Sequence, residues 1–143
     1  MTSRRVLIRP ATLADQPRVD AIRQGVTENV LSDPSKVSAA EVAWYREQAI
    51  FLVAEEAGEV VGFACANHQT GLIWALFVDP AHEGRGHGRA LLDEALARLE
   101  AAGLAQAHLN TGANTRAERF YRRNGWRDAG YALDGQVVFV KAL

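Results

Sequence analysis

Residues 83–91 read EGRGHGRAL, placing three glycines one residue apart directly before the apolar-periodic stretch ALLDEALARLEAAG. In that stretch Leu92, Ala95, Leu96 and Leu99 fall on one helical stripe, and Gly103 follows as a stop signal. The stretch is the clearest helix in the chain, yet each glycine at its mouth costs roughly 0.5–1 kcal/mol relative to alanine. A helix N-terminus carries unpaired N–H groups and about half a positive charge, so it attracts anions. Glycines before it remove the Cβ atoms that would keep a phosphate from those amides, and Arg85 and Arg89 add cations at the same mouth. The pattern points to a phosphorylated ligand; the alternative is a glycine turn shaped only for packing.

The rest of the chain supplies the elements around that helix. VLIR (6–9), closed by Pro10, reads as a strand, and TLAD leads into a helix capped by Asp15, with Pro17 in its first turn and Val19, Ile22, Val26 and Val30 at helical spacing. LSDPSK (31–36) reads as a turn, and Ser38 with Glu41 forms a capping box for a second helix. IFLVAEE, EVVGFACA and LIWALFV are three β-rich runs separated by short turns, an antiparallel meander. After the glycine-mouthed helix come a strand at 104–111, a helix at 113–125 ended by Gly125, and a hairpin turning at Asp134-Gly135. The order β-α-α-β-β-β-α-β-α-β-β, without repeats or linkers, implies one α+β domain.

With 143 residues, the chain is the size of one domain, 1–143. A net charge of −1 argues against a nucleic-acid surface. The single cysteine, Cys65, excludes an internal disulfide and reads as a small buried apolar residue. No apolar run approaches ~18 residues and the start lacks a signal peptide, so no membrane partner and a cytoplasmic location are expected. No His/Cys/Asp/Glu cluster has metal-ligand spacing, so no metal is expected.

The glycine loop differs from a dinucleotide fingerprint, whose glycines follow a strand directly, because PAHE intervenes here; it also lacks the Gly-Lys-Ser/Thr of a P-loop. The stretch LFVDPAHEGRGHGRALL instead resembles the acetyl-coenzyme A signature of the GNAT superfamily of N-acetyltransferases. That signature runs Val-x-Pro, then Gln/Arg-x-x-Gly-x-Gly/Ala opening a helix, matched by Val78-Asp79-Pro80 and by residues 83–88. A second family motif, Asn, Phe-Tyr, then Gly-Phe/Trp, is matched by Asn114, Phe120-Tyr121 and Gly125-Trp126. The departure is Glu83, an acid where the family has Gln or Arg.

The resemblance implies an α/β/α-layered domain with a mixed, mostly antiparallel sheet, helices on both faces, and strands IWALFV and LAQAHLNT splayed around acetyl-CoA. It implies that the backbone of Phe77 and Val78 pairs with the pantetheine, and that the loop amides of Gly84, Arg85, Gly86, His87, Gly88 and Arg89 take the pyrophosphate. It further implies direct attack of an amine on the thioester, with Tyr121 as proton donor to the leaving thiolate, and a homodimer. Read without the family, Tyr121 is a packed helix tyrosine. Asn114 and Tyr121, seven residues apart, share a helical face with Ala117 between them, leaving room for a pantetheine arm.

LIWALFV carries no carboxylate to serve as base for the acceptor amine. Glu28 and Asp33, bordering the segment that forms the acceptor wall in the family, are candidates, and Trp74 faces the acceptor pocket by strand alternation. The side chains of His82 and His87, near the cofactor loop, read as solvated loop histidines, and His68 and His108 receive no role. Arg116, Arg119, Arg122 and Arg123 form a solvated helix side, one of them within reach of an adenosine 3′-phosphate. Beside an N-acetyltransferase, a non-catalytic acyl-CoA-binding module and a nucleotide-binding regulator remain open.

Overall fold

The structure, a computed structural model, describes residues 6–25 and 38–143. Strands β1 (Val6–Pro10), β2 (Ile50–Glu56), β3 (Glu59–Ala66) and β4 (Ile73–Val78) form one antiparallel sheet in that order. Strands β5 (Gln106–Thr111), β6 (Arg127–Tyr131) and β7 (Val137–Ala142) form a second antiparallel sheet, ordered β5-β7-β6. Helices α1 (Gln16–Gly25), α2 (Ala39–Gln48), α3 (His87–Ala101) and α4 (Arg116–Arg123) complete the expected element order.

The sheets meet where a lone parallel bridge pairs Leu72 with His108, whose N–H donates to the Gly71 carbonyl at 3.0 Å. Gly71 has φ 86°, and a Cβ there would lie 2.6 Å from the Gln106 carbonyl oxygen, so only glycine lets the two backbones meet. Past this joint no strand of the described residues pairs with the outer edge of β4.

The first sheet buries both faces. Leu52, Ala54, Val61 and Ala64 pack against Leu91, Leu92, Ala95, Leu96 and Leu99 of α3, in a core that continues through Leu109, Phe139, Tyr121 and Trp126. Each fully buried leucine contributes about 1.5–3 kcal/mol. The opposite face, with Val53, Phe63, Cys65, Ala75 and Phe77, meets Val19 and Ile22 of α1 and Val42 and Tyr45 of α2. The stripe expected on α3 is buried, and its end is a Schellman turn: Gly103 N–H donates to Glu100 and Leu104 N–H to Leu99.

Four local readings change. Asp15 is not the cap of α1; it ends a 3-10 turn (Leu13–Asp15), accepts from the Thr12 N–H at 2.7 Å and pairs with Arg9 at 2.8 Å. Helix α4 starts three residues later than expected because the Thr115 hydroxyl accepts from Glu118 N–H at 3.2 Å and so caps it. The final hairpin turns over residues 132–136 rather than two residues, since Asp134 Oδ1 accepts from Gln136 N–H and closes a longer loop. In β4 the register steps from Cys65–Ala75 to Ala66–Ile73, leaving Trp74 as an extra, bulged residue. Val26, Val30 and the turn at 31–36 lie outside the described residues.

Candidate active site

A cavity of about 630 Å³ opens between the end of β4, the glycine loop and α4, lined by Phe77, Val78, Gly86, Gly88, Ala117 and Tyr121 among others. Its floor exists because the outer edge of β4 lacks a partner strand beyond the Gly71 joint. Gly84 and Gly86 have φ 77° and 85°, a left-handed backbone that lets the chain turn sharply into α3. Gly86 is the N-cap of α3 and offers no side chain to satisfy the first-turn amides. Gly88 already lies within the helix; a Cβ there would sit 3.6 Å from Val78 Cγ2 and 3.8 Å from Phe120 Cζ, both from cavity-lining residues.

The walls are cationic. Arg89, 71% exposed, lines the cavity with Arg116, Arg119 and Arg123 of α4. The last three are spaced i, i+3, i+7, one helical face, so the side read from sequence as solvated is exposed and also forms a wall of the cavity. Arg122 departs from them, pairing with Asp128 at 2.9 Å and lying 5.2 Å over the Phe139 ring. Among the described lining residues the one acid is Glu83, and it is held by Arg116 at 2.9 Å.

Arg85 does not line the cavity. Its Nη1 donates to Glu56 Oε2 at 2.7 Å, because a carboxylate only 7% exposed requires a cation nearby. Glu56 itself is invisible to motif reading, being one acid of a run AEE at the end of β2. His87 is not the solvated loop histidine read from sequence: it is fully buried at the first position of α3 and lines the cavity, while His82 Nδ1 lies 3.3 Å from Asp79, which also takes Arg18 at 2.6 Å.

Tyr121 lines the cavity while only 2% exposed, its ring edge-on to Phe120 and Trp126. Burial pushes its phenol above the ordinary value, so it holds its proton at neutral pH. Asn114 does not share its helical face. It lies before Thr115 with φ 62°, exposed and away from the cavity lining, a conformation asparagine tolerates better than most residues.

Trp74 lies on the α1–α2 face of the sheet, stacked on Tyr45 with centroids 4.4 Å apart. Burial pushes the Tyr45 phenol up to about 12. Simple alternation from Phe77 would have sent Trp74 to the α3 face; the bulge returns it to the side of Ala75 and Phe77. Glu28 and Asp33 lie outside the described residues. Among the described residues no group of three or more His, Cys, Asp or Glu is placed to hold a metal, and no helix is long and apolar enough to cross a membrane.

The acetyltransferase (GNAT) domain family matches residues 47–128, and the chain belongs to that family. The mycothiol acetyltransferase of Propionibacterium freudenreichii subsp. shermanii is 34% identical over 100 residues, an alignment covering 62% of this chain and 32% of that protein. The chain thus spans about a third of the length of the curated relatives it matches. A GCN5-related N-acetyltransferase from Rhodopseudomonas palustris superposes with a TM-score of 0.83 at 22% identity, covering 100% of this chain and 99% of that one. The PaiA N-acetyltransferase from Thermoplasma acidophilum, solved with coenzyme A, gives 0.79 at 16% identity, covering 97% and 99%. These likenesses show that the fold is the α+β GNAT fold the motifs implied.

Proposed function

We propose that this chain is a single acetyl-CoA-dependent N-acetyltransferase domain in which a primary amine attacks the thioester directly. The observation that carries the reading is the glycine-opened, arginine-walled cavity that runs from the unpartnered edge of β4 to Tyr121. It fits coenzyme A: the uncapped start of α3 and the four arginines suit its phosphates, and the open edge of β4 at Phe77 and Val78 suits its amide-bearing arm as an added strand. Acetyl-CoA supplies the acetyl group already activated as a thioester.

Tyr121 Oη then holds the proton that the departing sulfur takes. Burial raises its hold on that proton above that of a thiol, whose reference value is about 8.5, so transfer to the thiolate is uphill by itself and is balanced by the proton that the acylated amine loses, which restores the phenol. The name of the relatives, mycothiol acetyltransferase, puts mycothiol-related amines in the acceptor panel. A homodimer in the cytoplasm belongs to the same proposal, on the family resemblance alone.

Free-thiol release from acetyl-CoA across a panel of small amines and peptides tests the activity. Thermal shifts with coenzyme A, ATP and NAD test the ligand; a ligand at 100 times its Kd stabilises by about 2.7 kcal/mol. The second reading, a non-catalytic acyl-CoA-binding module, is favoured by one observation: β4 carries no carboxylate, and an apolar Trp74 is packed on Tyr45 in that strand. A coenzyme A shift without thiol release from any amine would support it.

A further inference from the structure

Three side chains around the start of α3, those of His82, Arg85 and His87, converge on one buried carboxylate. Glu56 ends β2 and is 7% exposed; Arg85 Nη1 donates to its Oε2 at 2.7 Å, His87 Nε2 lies 3.3 Å from Oε1, and His82 Nε2 lies 3.8 Å from Oε2. The His87 contact lacks hydrogen-bond alignment, so Arg85 carries the directional bond.

We propose that Glu56 is a positioning residue for cofactor binding, which clamps the glycine loop in its phosphate-receiving conformation through Arg85 and His87. The inference rests on the reading of the cavity as a coenzyme A site. Its argument is the placement of Gly86, with φ 85°, directly between the two residues that touch Glu56. Glycine leaves a left-handed conformation at little cost, so a loop of alternating glycines samples many shapes unless something fixes its neighbours. Holding Arg85 by a hydrogen bond to the strand-end carboxylate, with the buried His87 packed against the same group, restrains both neighbours of Gly86 and removes an ordering cost that ligand binding would otherwise meet. Glu56 does not line the cavity, and it occupies Arg85 rather than leaving that cation for a phosphate. Its action on the ligand therefore runs through the residues it holds, by the shape of the loop backbone and by the placement of His82 and His87, which do line the cavity.

The test compares wild type, Glu56→Gln, Arg85→Ala and the double variant by coenzyme A titration and by steady-state kinetics with acetyl-CoA and acetyl-pantetheine, which lacks the phosphates. Glu56→Gln should raise the Kd for coenzyme A and the KM for acetyl-CoA about tenfold, leave kcat at saturation within about twofold, and leave KM for acetyl-pantetheine unchanged. The double variant should bind no more weakly than the weaker single one. Unchanged or tighter binding by Glu56→Gln, as expected if its only effect were to withhold Arg85 from phosphate, would overturn the inference. So would a fall in kcat at constant KM. Should Glu56→Gln not fold, ligand-free hydrogen exchange of the amides at 84–88 in Arg85→Ala decides: faster exchange supports the clamp and unchanged exchange overturns it. A wild type that binds no coenzyme A would overturn the proposed function as well, whereas normal wild-type binding with an unaffected Glu56→Gln overturns this inference alone.

Discussion

Glu83 Oε2 lies 2.9 Å from Arg116 Nη1, so the loop before α3 and the first residue of α4 are joined by an ion pair beside the cavity that both line. The pair is well exposed, with side chains 36% and 63% accessible, and contributes about 0–1 kcal/mol to stability. Its consequence is for ligand charge, since Glu83 is an acid in a phosphate-receiving cavity and occupies one of its cations.

Glu83→Gln should therefore tighten coenzyme A about 2–5-fold at low salt, with a smaller gain at high salt and little change in Tm. Titration calorimetry at two ionic strengths checks it. Weaker binding would show that the pair shapes the cavity more than it repels the ligand.

Tyr121→Phe should lower kcat about 10²–10⁴-fold with acetyl-CoA KM nearly unchanged, because the ring still packs against Trp126 and Phe139 while the proton is gone. Since burial holds the phenol protonated above its ordinary 10, the wild type should show no loss of rate from ionisation of this group below that pH. A wild-type kcat in the variant, with chemistry the slow step, assigns the proton to water.

Gly88→Ala separates fold from binding. Gly88 is helical without a positive φ, so alanine should raise stability by about 0.5–1 kcal/mol, seen as a higher Tm. The added methyl would lie between Val78 and Phe120 in the cavity wall, so coenzyme A should bind more weakly. Gly86→Val, at φ 85°, should lose both stability and binding.

Asp15 sets an acid-side limit. The Arg9 guanidinium beside it, with the Thr12 amide, holds its carboxyl down at about 2. A carboxylate depressed in the folded state stabilises fully above its unfolded value of about 3.9, and that contribution is lost as pH falls toward 2. Asp15→Asn should cost about 1–2 kcal/mol at pH 7 and flatten urea-derived stability between pH 5 and 2. An unchanged slope would place the acid sensitivity elsewhere.

Gly71→Ala strikes the joint of the two sheets. The methyl would meet the Gln106 carbonyl oxygen at 2.6 Å on a backbone with φ 86°, so a loss of about 2 kcal/mol or more is expected in chemical denaturation. Coenzyme A affinity should fall too, because the divergence of β4 and β5 starts there.

Element order, the α3 stripe, the Ser38 cap and the glycine stops at 103 and 125 were readable from sequence, although Glu41 meets the Ser38 hydroxyl and does not close the reciprocal half of a capping box. Each depends on residues within about one or two helical turns of one another, so the local pattern holds whatever packs around it. The glycine loop and Tyr121 were readable as well, since their spacing is a motif. What lay beyond the sequence depends on residues distant along the chain. Glu56 is 29 residues from the Arg85 it holds, and that tie decides which arginines remain to wall the cavity. The face taken by Trp74 followed from a one-residue bulge against β3, which inverts every inference drawn from alternation beyond it. The local exception is Asn114, misplaced because a single hydroxyl, that of the adjacent Thr115, started α4 late and left its neighbour outside. Local spacing determined which elements form; buried charge pairing and strand register, both set by long-range packing, determined which faces those elements turn to one another.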